Sequence, residues 1–473
     1  MSDEPAPGLA PRDHEAEGRA RARRRRRNVA IGAVAALAVG LGVAELTTGL
    51  VSRAVDATGL TCGGGWSRID ADELDGMRVV RWGTPEAREQ DLDPVDLTDL
   101  PPGLAEPSLT TVAFPDDGAY DPLLYPLGGD VVLQGAGYTE QTWVAADART
   151  GEPLWGVATD GAVSGVQGVV GLLAVSGDRT DLTTLDARTG DELSCAGLDG
   201  AVLDVAPVGD RDLVVATDVG DAHEEDGSAY RLTRVDPVAG EVRWSTPVTA
   251  FPGGLHVAGG TIVVSSRSAG AITTGWQEGT GSDRDLVVGV DAETGRETWA
   301  HRDPAQSAVL DAVALPDGGT GALLLEVPDR QAWDEARGEY VLLDDTGEQV
   351  WRTPATYRRD DVAAWHADGV GVVLEDLHPV GLDLGTGERL WRAEGAGLEG
   401  DVGLLTGGDG AVVVLANQRV EDDDGGRFVT HVLDIRTGAL TVHEAPLRSF
   451  RVTDTYVISS TGATQLVIPR LER

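Results

Sequence analysis

An all-β propeller, a ring of four-stranded antiparallel sheets, is the fold this sequence predicts, and three observations predict it. The first is an internal repeat of the pattern D-x-x-T-G-E-x-x-W. It is intact from Asp147 to Trp155 and from Asp383 to Trp391. Arg296 replaces the Glu between Asp291 and Trp299, and Ala239 replaces the Thr between Asp236 and Trp244. The copy from Asp344 to Trp351 is one residue shorter, and degraded copies run from Asp186 to Ser194 and from Asp434 to Val442. The second observation is spacing: successive motif Asp residues lie 39 to 55 residues apart, about one four-stranded sheet each. The third is that alternating apolar stretches, such as 142–146 and 285–290, lead into the motif, as hairpin strands should.

Each motif position has a physical reason. The Asp accepts hydrogen bonds from backbone N–H groups two or three residues on and closes a turn. The Gly (Gly151, Gly240, Gly295, Gly347 and Gly387) supplies the positive φ of a hairpin with a bulge. The Trp, four residues after the Gly, opens the next strand as a large apolar plug between neighbouring sheets. Seven motif sheets, with an eighth completed by a strand at 77–82 joining the C-terminal strands at 455–459 and 465–469, give eight blades. A seven-bladed ring is the alternative. Closure of either ring removes exposed sheet edges.

On these residues the chain resembles the PQQ-like (quinoprotein-type) β-propeller family, as a membrane-anchored bacterial member. The resemblance covers about residues 131–442 and rests on Trp155, Trp244, Trp299, Trp351 and Trp391. It implies the fold more firmly than the job, because this fold hosts enzymes, assembly lipoproteins and binding scaffolds. The family's enzymes hold the quinone over a Trp floor, beside a calcium site of Glu, Asn and Asp and often a vicinal disulfide. Here Cys62 and Cys195 are far apart, and Asn417 is the only Asn after Asn28. No cofactor is therefore expected, and a PQQ- and calcium-dependent dehydrogenase stands as the alternative.

The head of the chain predicts an address. Residues 1–27 form a polar, disordered cytoplasmic tail ending in an Arg cluster; residues 28–51 a transmembrane helix or signal anchor; 52–72 a linker; 73–473 the propeller outside the membrane. Twenty-three helical residues reach about 34 Å, enough to span a bilayer, and the Arg cluster should stay inside. A cleaved signal peptide with small residues at 42–44 is the rival reading. Gly59-Leu60-Thr61-Cys62 is no convincing lipobox. Cys62 and Cys195 read as a disulfide or as two free thiols.

The net charge of −40 disfavours nucleic acid as a partner. The eight His residues show no paired metal spacing, and no G-x-S-x-G elbow is present. The G-x-G-x-x-G match at 395–400 precedes no helix and reads as loop glycines. What varies is the hairpin before each motif turn, at 137–141, 177–181, 219–229, 269–284, 328–339, 376–379 and 418–426. In a meander these loops share the face opposite the motif turns. Trp276, Arg330 and Trp333 in the longest insertions, with the acidic run 421–424, are the candidate partner-binding residues. The expected function is a non-catalytic scaffold binding a protein or cell-envelope component.

Overall fold

The motif residues close their turns as their chemistry requires. In the computed structural model, Arg149 and Thr150 donate backbone N–H groups to the Asp147 carboxylate at 3.0 and 2.9 Å. Gly385 and Thr386 do the same to Asp383 at 2.9 and 2.8 Å. The degraded copies keep this turn, with Arg188 and Thr189 donating to Asp186 at 2.9 and 2.7 Å. Left-handed φ values of +69° at Gly151 and +73° at Gly387 explain why Gly stands there. A register shift beside the Asp147 and Asp383 turns marks the bulge.

The structure describes the strand-bearing residues between Trp66 and Leu471. Residues 1–65 and the spans 75–79, 82–96, 111–122, 221–229, 266–285, 328–336 and 421–426 are among those outside the described set. The expected tail, transmembrane segment, Cys62 and most of the linker therefore lie outside it. No helix among the described residues is long and apolar enough to cross a membrane.

The described strands form eight antiparallel sheets, six of four strands and two of five. They follow one another along the chain, each meandering from an innermost strand to an outermost one. The first sheet runs Leu123–Pro126, Val131–Ala136, Gln141–Asp147 and Pro153–Thr159. The eighth combines Arg448–Val452, Tyr456–Thr461 and Thr464–Pro469 with strands from the N-terminal segment. The first strands of neighbouring sheets pack against each other and so surround the central channel. Alternate residues of each sheet face its two neighbours, and a buried apolar cluster fills each gap. Leu133, Trp155 and Leu172 join sheets one and two; Val263, Leu324 and Val341 join four and five; Leu109, Leu124 and Tyr456 join eight and one.

The motif Trp locks sheet to sheet. Each ring lies on the motif Gly of the following sheet, so a Cβ at Gly190 would stand 2.6 Å from the Trp155 ring, and one at Gly387 2.7 Å from Trp351. The indole N–H then donates to the carbonyl just after the next motif Asp: Trp155 to Ala187 at 2.9 Å, Trp244 to Ala292 at 3.0 Å, Trp351 to Leu384 at 2.8 Å and Trp391 to Ile435 at 3.1 Å. Where Ser194 replaces the Trp, its hydroxyl donates to the equivalent carbonyl of Pro237 at 2.8 Å. Trp299 faces the shortened copy beginning at Asp344, and its Nε1 finds no acceptor. Deleting one turn residue has removed the carbonyl it would meet.

Closure differs in detail from the sequence expectation. The strand completing the eighth sheet is Leu109–Thr110, which pairs with Thr464–Pro469. Val80–Arg81, within the expected closing stretch, pairs outside it as a fifth strand. Leu109 wins the inner place because its fully buried side chain fills the seam with sheet one. Trp66–Asp70, in the expected linker, is a strand along the outer edge of sheet one. Trp66 packs on the apolar cluster there. Residues 65–473 form one compact unit.

One turn is strained. Asp376 and Leu377 have φ of +52° and +68° in the two-residue hairpin joining Val370–Glu375 to His378–Asp383. That turn type asks for Asn-Gly. Leu377→Gly should therefore raise stability by about 1 kcal/mol, read as a higher urea midpoint with unchanged slope. A lower midpoint would show that the Leu377 side chain contributes more by packing than its backbone costs.

Candidate functional site

The insertion face is built on the strand ends opposite the motif turns. Trp276, Arg330, Trp333 and the acidic run 421–424 lie outside the described residues. The ends of their loops are described: Thr261–Ser265 and Leu286–Asp291 flank the first, and Thr320–Val327 and Arg337–Leu343 the second.

Near the strand ends from which those two loops leave, the seam between sheets four and five carries a buried ionic network. Glu326 is 1% exposed. His301 Nε2 meets its Oε1 at 3.1 Å and Arg352 Nη2 its Oε2 at 2.8 Å. Arg352 also reaches Glu339 at 2.7 Å. Ser307 stands directly across from Glu326, its buried hydroxyl without a partner. Sheet six carries a similar device within itself: buried Glu375 accepts from Arg389 at 2.6 Å and faces Arg392 at 3.5 Å. Both oxygens of Glu326 are engaged, so the network suits fixing the loop roots.

A second set lines the channel. Asp204, His256, Asp311 and His366 come one from each innermost strand of sheets three to six. Asp311 Oδ2 meets His366 Nδ1 at 2.8 Å, and Asp204 Oδ2 accepts the Leu255 N–H at 2.8 Å. Burial pushes the His256 pKa below its ordinary value, against the pull of Asp311 and Asp204. Its Nε2 is buried without a partner. Burial also lowers His431. Among the described residues, no group of three His, Cys, Asp or Glu is placed to hold a metal ion.

These lowered histidines make stability depend on pH. The unfolded chain protonates them near the ordinary value of 6.5, while the folded chain resists until lower pH. Their contribution is therefore complete above pH 6.5 and declines as pH falls below it. A second decline belongs below 3.8, where the Ala239 N–H on Asp236 and the Thr294 hydroxyl on Asp291 hold those carboxyl pKa values down. Urea midpoints measured from pH 7.5 to 5 should fall in wild type and fall less in His256→Gln. An equal slope in both would assign the effect elsewhere.

Two signals in the sequence would have found these groups. An Arg directly follows the motif Trp at Arg352 and Arg392, and the channel row recurs at steps of 52, 55 and 55 residues. Neither signal lies within one motif copy. Cys195, on Glu192–Asp199, is disulfide-bonded. Cys62, the other cysteine of the sequence, lies outside the described residues.

Among solved structures, BamB from Moraxella catarrhalis is 17% identical, with 73% of this chain and 96% of that chain covered and a TM-score of 0.43. Sqt1 from Saccharomyces cerevisiae is 13% identical, covering 76% and 98% at a TM-score of 0.47. The Dos1 propeller is 13% identical, covering 74% and 94% at a TM-score of 0.46. No curated protein matches the sequence. The family model described as outer membrane protein assembly factor BamB, a PQQ-like repeat family, matches residues 139–249 and 283–457. That is more than half of the chain, and with the repeat and its interlocked sheets it places this protein in the PQQ-like β-propeller family of BamB.

Proposed function

We propose that this chain is a non-catalytic binding or assembly scaffold, displayed outside the cell membrane by an N-terminal single-pass anchor. In this reading the eight sheets are the blades of one closed ring. The ring presents its insertion face to a protein or another component of the cell envelope. The observation that carries the proposal is the division of labour between the faces. The motif face is spent on the Asp turns and Trp locks, while the longest insertions leave the other face above buried ionic networks. Loops on a rigid scaffold are where binding residues concentrate. The family's name, an outer membrane protein assembly factor, supports a partner that is itself a protein. The Arg cluster ahead of residues 28–51 supports the orientation.

A pull-down with the full chain tests this reading. Partners recovered by wild type should be lost when Trp276 and Trp333 are both changed to Ala, with the melting temperature held. Equal recovery would overturn the loop assignment. The competing reading is a PQQ-dependent oxidoreductase. Among the described residues, the channel carboxylates Asp204 and Asp311 stand two sheets apart and form no cluster of three ligands, a poor fit to a calcium-held quinone. Titration with the quinone and calcium should leave the melting temperature unchanged; a saturable rise would revive the enzymatic reading.

A further inference from the structure

Strand pairing aligns sheets three and five residue for residue at their insertion-face ends, because each outermost strand carries a proline at the same level. Pro247 pairs with Arg231 and Arg231 with Thr217; Pro354 pairs with Glu339 and Glu339 with Glu326. Ser245 and Arg352 also correspond, each two residues before its proline. In sheet five the three places hold Glu326, Glu339 and Arg352, whose charges bond to one another. In sheet three they hold Thr217, Arg231 and Ser245. A cation is kept, and both acids are gone.

Arg231 is therefore left without a counter-charge. Among the described residues no carboxylate pairs with it, whereas Arg234 and Arg243 of the same sheet each hold one. Its Nη1 reaches Ser245 Oγ at a long 3.4 Å, and its Nε is buried without a partner. Directly across, Thr217 is 0% exposed and its hydroxyl is likewise unpartnered. By the alternation of a strand, both side chains share the flank on which Leu213, Val215 and Val235 pack against sheet two. Buried N–H and O–H groups without acceptors cost free energy, and a guanidinium against apolar walls without a counter-charge adds to that cost. One anion accepting from both groups offsets these costs. Arg231 is half-buried and Ser245 exposed, so the guanidinium keeps a side open to solvent. The net charge of −40 repels multiply charged anions most strongly and so favours a monovalent one.

We propose that Arg231 and Thr217 bind a small monovalent anion, a halide or a carboxylate, in the place that the Glu326 carboxylate fills in sheet five. The anion ties together the two strands, Asp212–Asp218 and Tyr230–Asp236, that root the 219–229 insertion. This site does not depend on the scaffold reading and stands or falls by its own test.

Chloride is the probe, read as broadening of its NMR line by the full-chain protein. Arg231→Gln should weaken chloride binding by about tenfold, the loss expected of a charge-assisted hydrogen bond. Thr217→Val removes the hydroxyl alone and should weaken it several-fold. With chloride replaced by gluconate at constant ionic strength, Thr217→Val should melt no lower than wild type, because an idle buried hydroxyl is gone. Wild type should then gain melting temperature as chloride is restored, and the variant should gain less. Arg211→Gln, at an exposed arginine of the same sheet, should bind as wild type does. Acetate that displaces the chloride assigns the place to a carboxylate, and broadening that survives acetate assigns it to a halide; either supports the site. No broadening by wild type, or equal broadening by Arg231→Gln, overturns the proposal.

Discussion

Trp155→Ala should lower the stability of the propeller by about 3–5 kcal/mol, the range for emptying a large buried aromatic site. Trp155 is fully buried, lies on Gly190 and donates its indole N–H to Ala187. The substitution thus opens a cavity between two sheets and strands a carbonyl. Urea unfolding reads the effect as a shift in midpoint. A loss below about 1 kcal/mol would mean that the seam collapses onto the space, and that the motif Trp is not the lock between sheets. Trp→Phe substitutions separate ring from hydrogen bond. At Trp351 the change should cost about 1–3 kcal/mol, because the Leu384 carbonyl loses its donor. At Trp299 it should cost less than at any paired Trp, because that N–H is already without an acceptor.

Arg352→Met should be the second large effect, at about 3 kcal/mol. It leaves Glu326, 1% exposed, with His301 as its remaining ionic partner among the described residues. Removing one side of a buried ion pair commonly costs 3–5 kcal/mol; the lower end applies because the Arg352 side chain is 34% exposed. The double change Glu326→Leu with Arg352→Met removes charge from both sides and should recover most of the loss. A double variant no better than Arg352→Met would show that the network does more than neutralise its own charge, and that its hydrogen bonds set the seam. Both variants also report on function. If the network fixes the roots of the loops at 266–285 and 328–336, Arg352→Met should weaken partner capture at temperatures where the chain is still folded.

The parts of this molecule that were legible in the sequence are those whose physics is local. An Asp reaching back to amides two and three residues on, a left-handed Gly and a Trp four residues later are decided within nine residues, so Asp147, Gly151 and Trp155 announced their roles. The alternating strands between them followed. The closing strand did not announce itself. Leu109–Thr110 is two residues long, and only the fit of Leu109 against Leu124 and Tyr456 selects it over Val80. Nor did the ionic network, because Glu326 and Arg352 stand on different strands of one sheet, and His301 meets Glu326 only after two sheets have stacked. Asp204 looked like one acid among many. Its two amide donors come from the bulge at its own strand and from Leu255, 51 residues away, and neither contact has a signature along the chain.

The way the ring closes has a consequence in time. Ser108 and Val467, whose hydroxyl and carbonyl meet beside the closing strand, are 359 residues apart in the chain. At cellular synthesis rates the interval between them is on the order of tens of seconds. Throughout it Leu109 lacks its C-terminal partner strand, and the outward flank of sheet one, with Leu124 and Val132, faces no neighbour. Sheets one to seven can stack as they emerge, since each seam needs only the sheet before it. The arc they form keeps an apolar flank at each end until the last strands arrive. For this chain, a segment made before the first sheet is among the last to find its place.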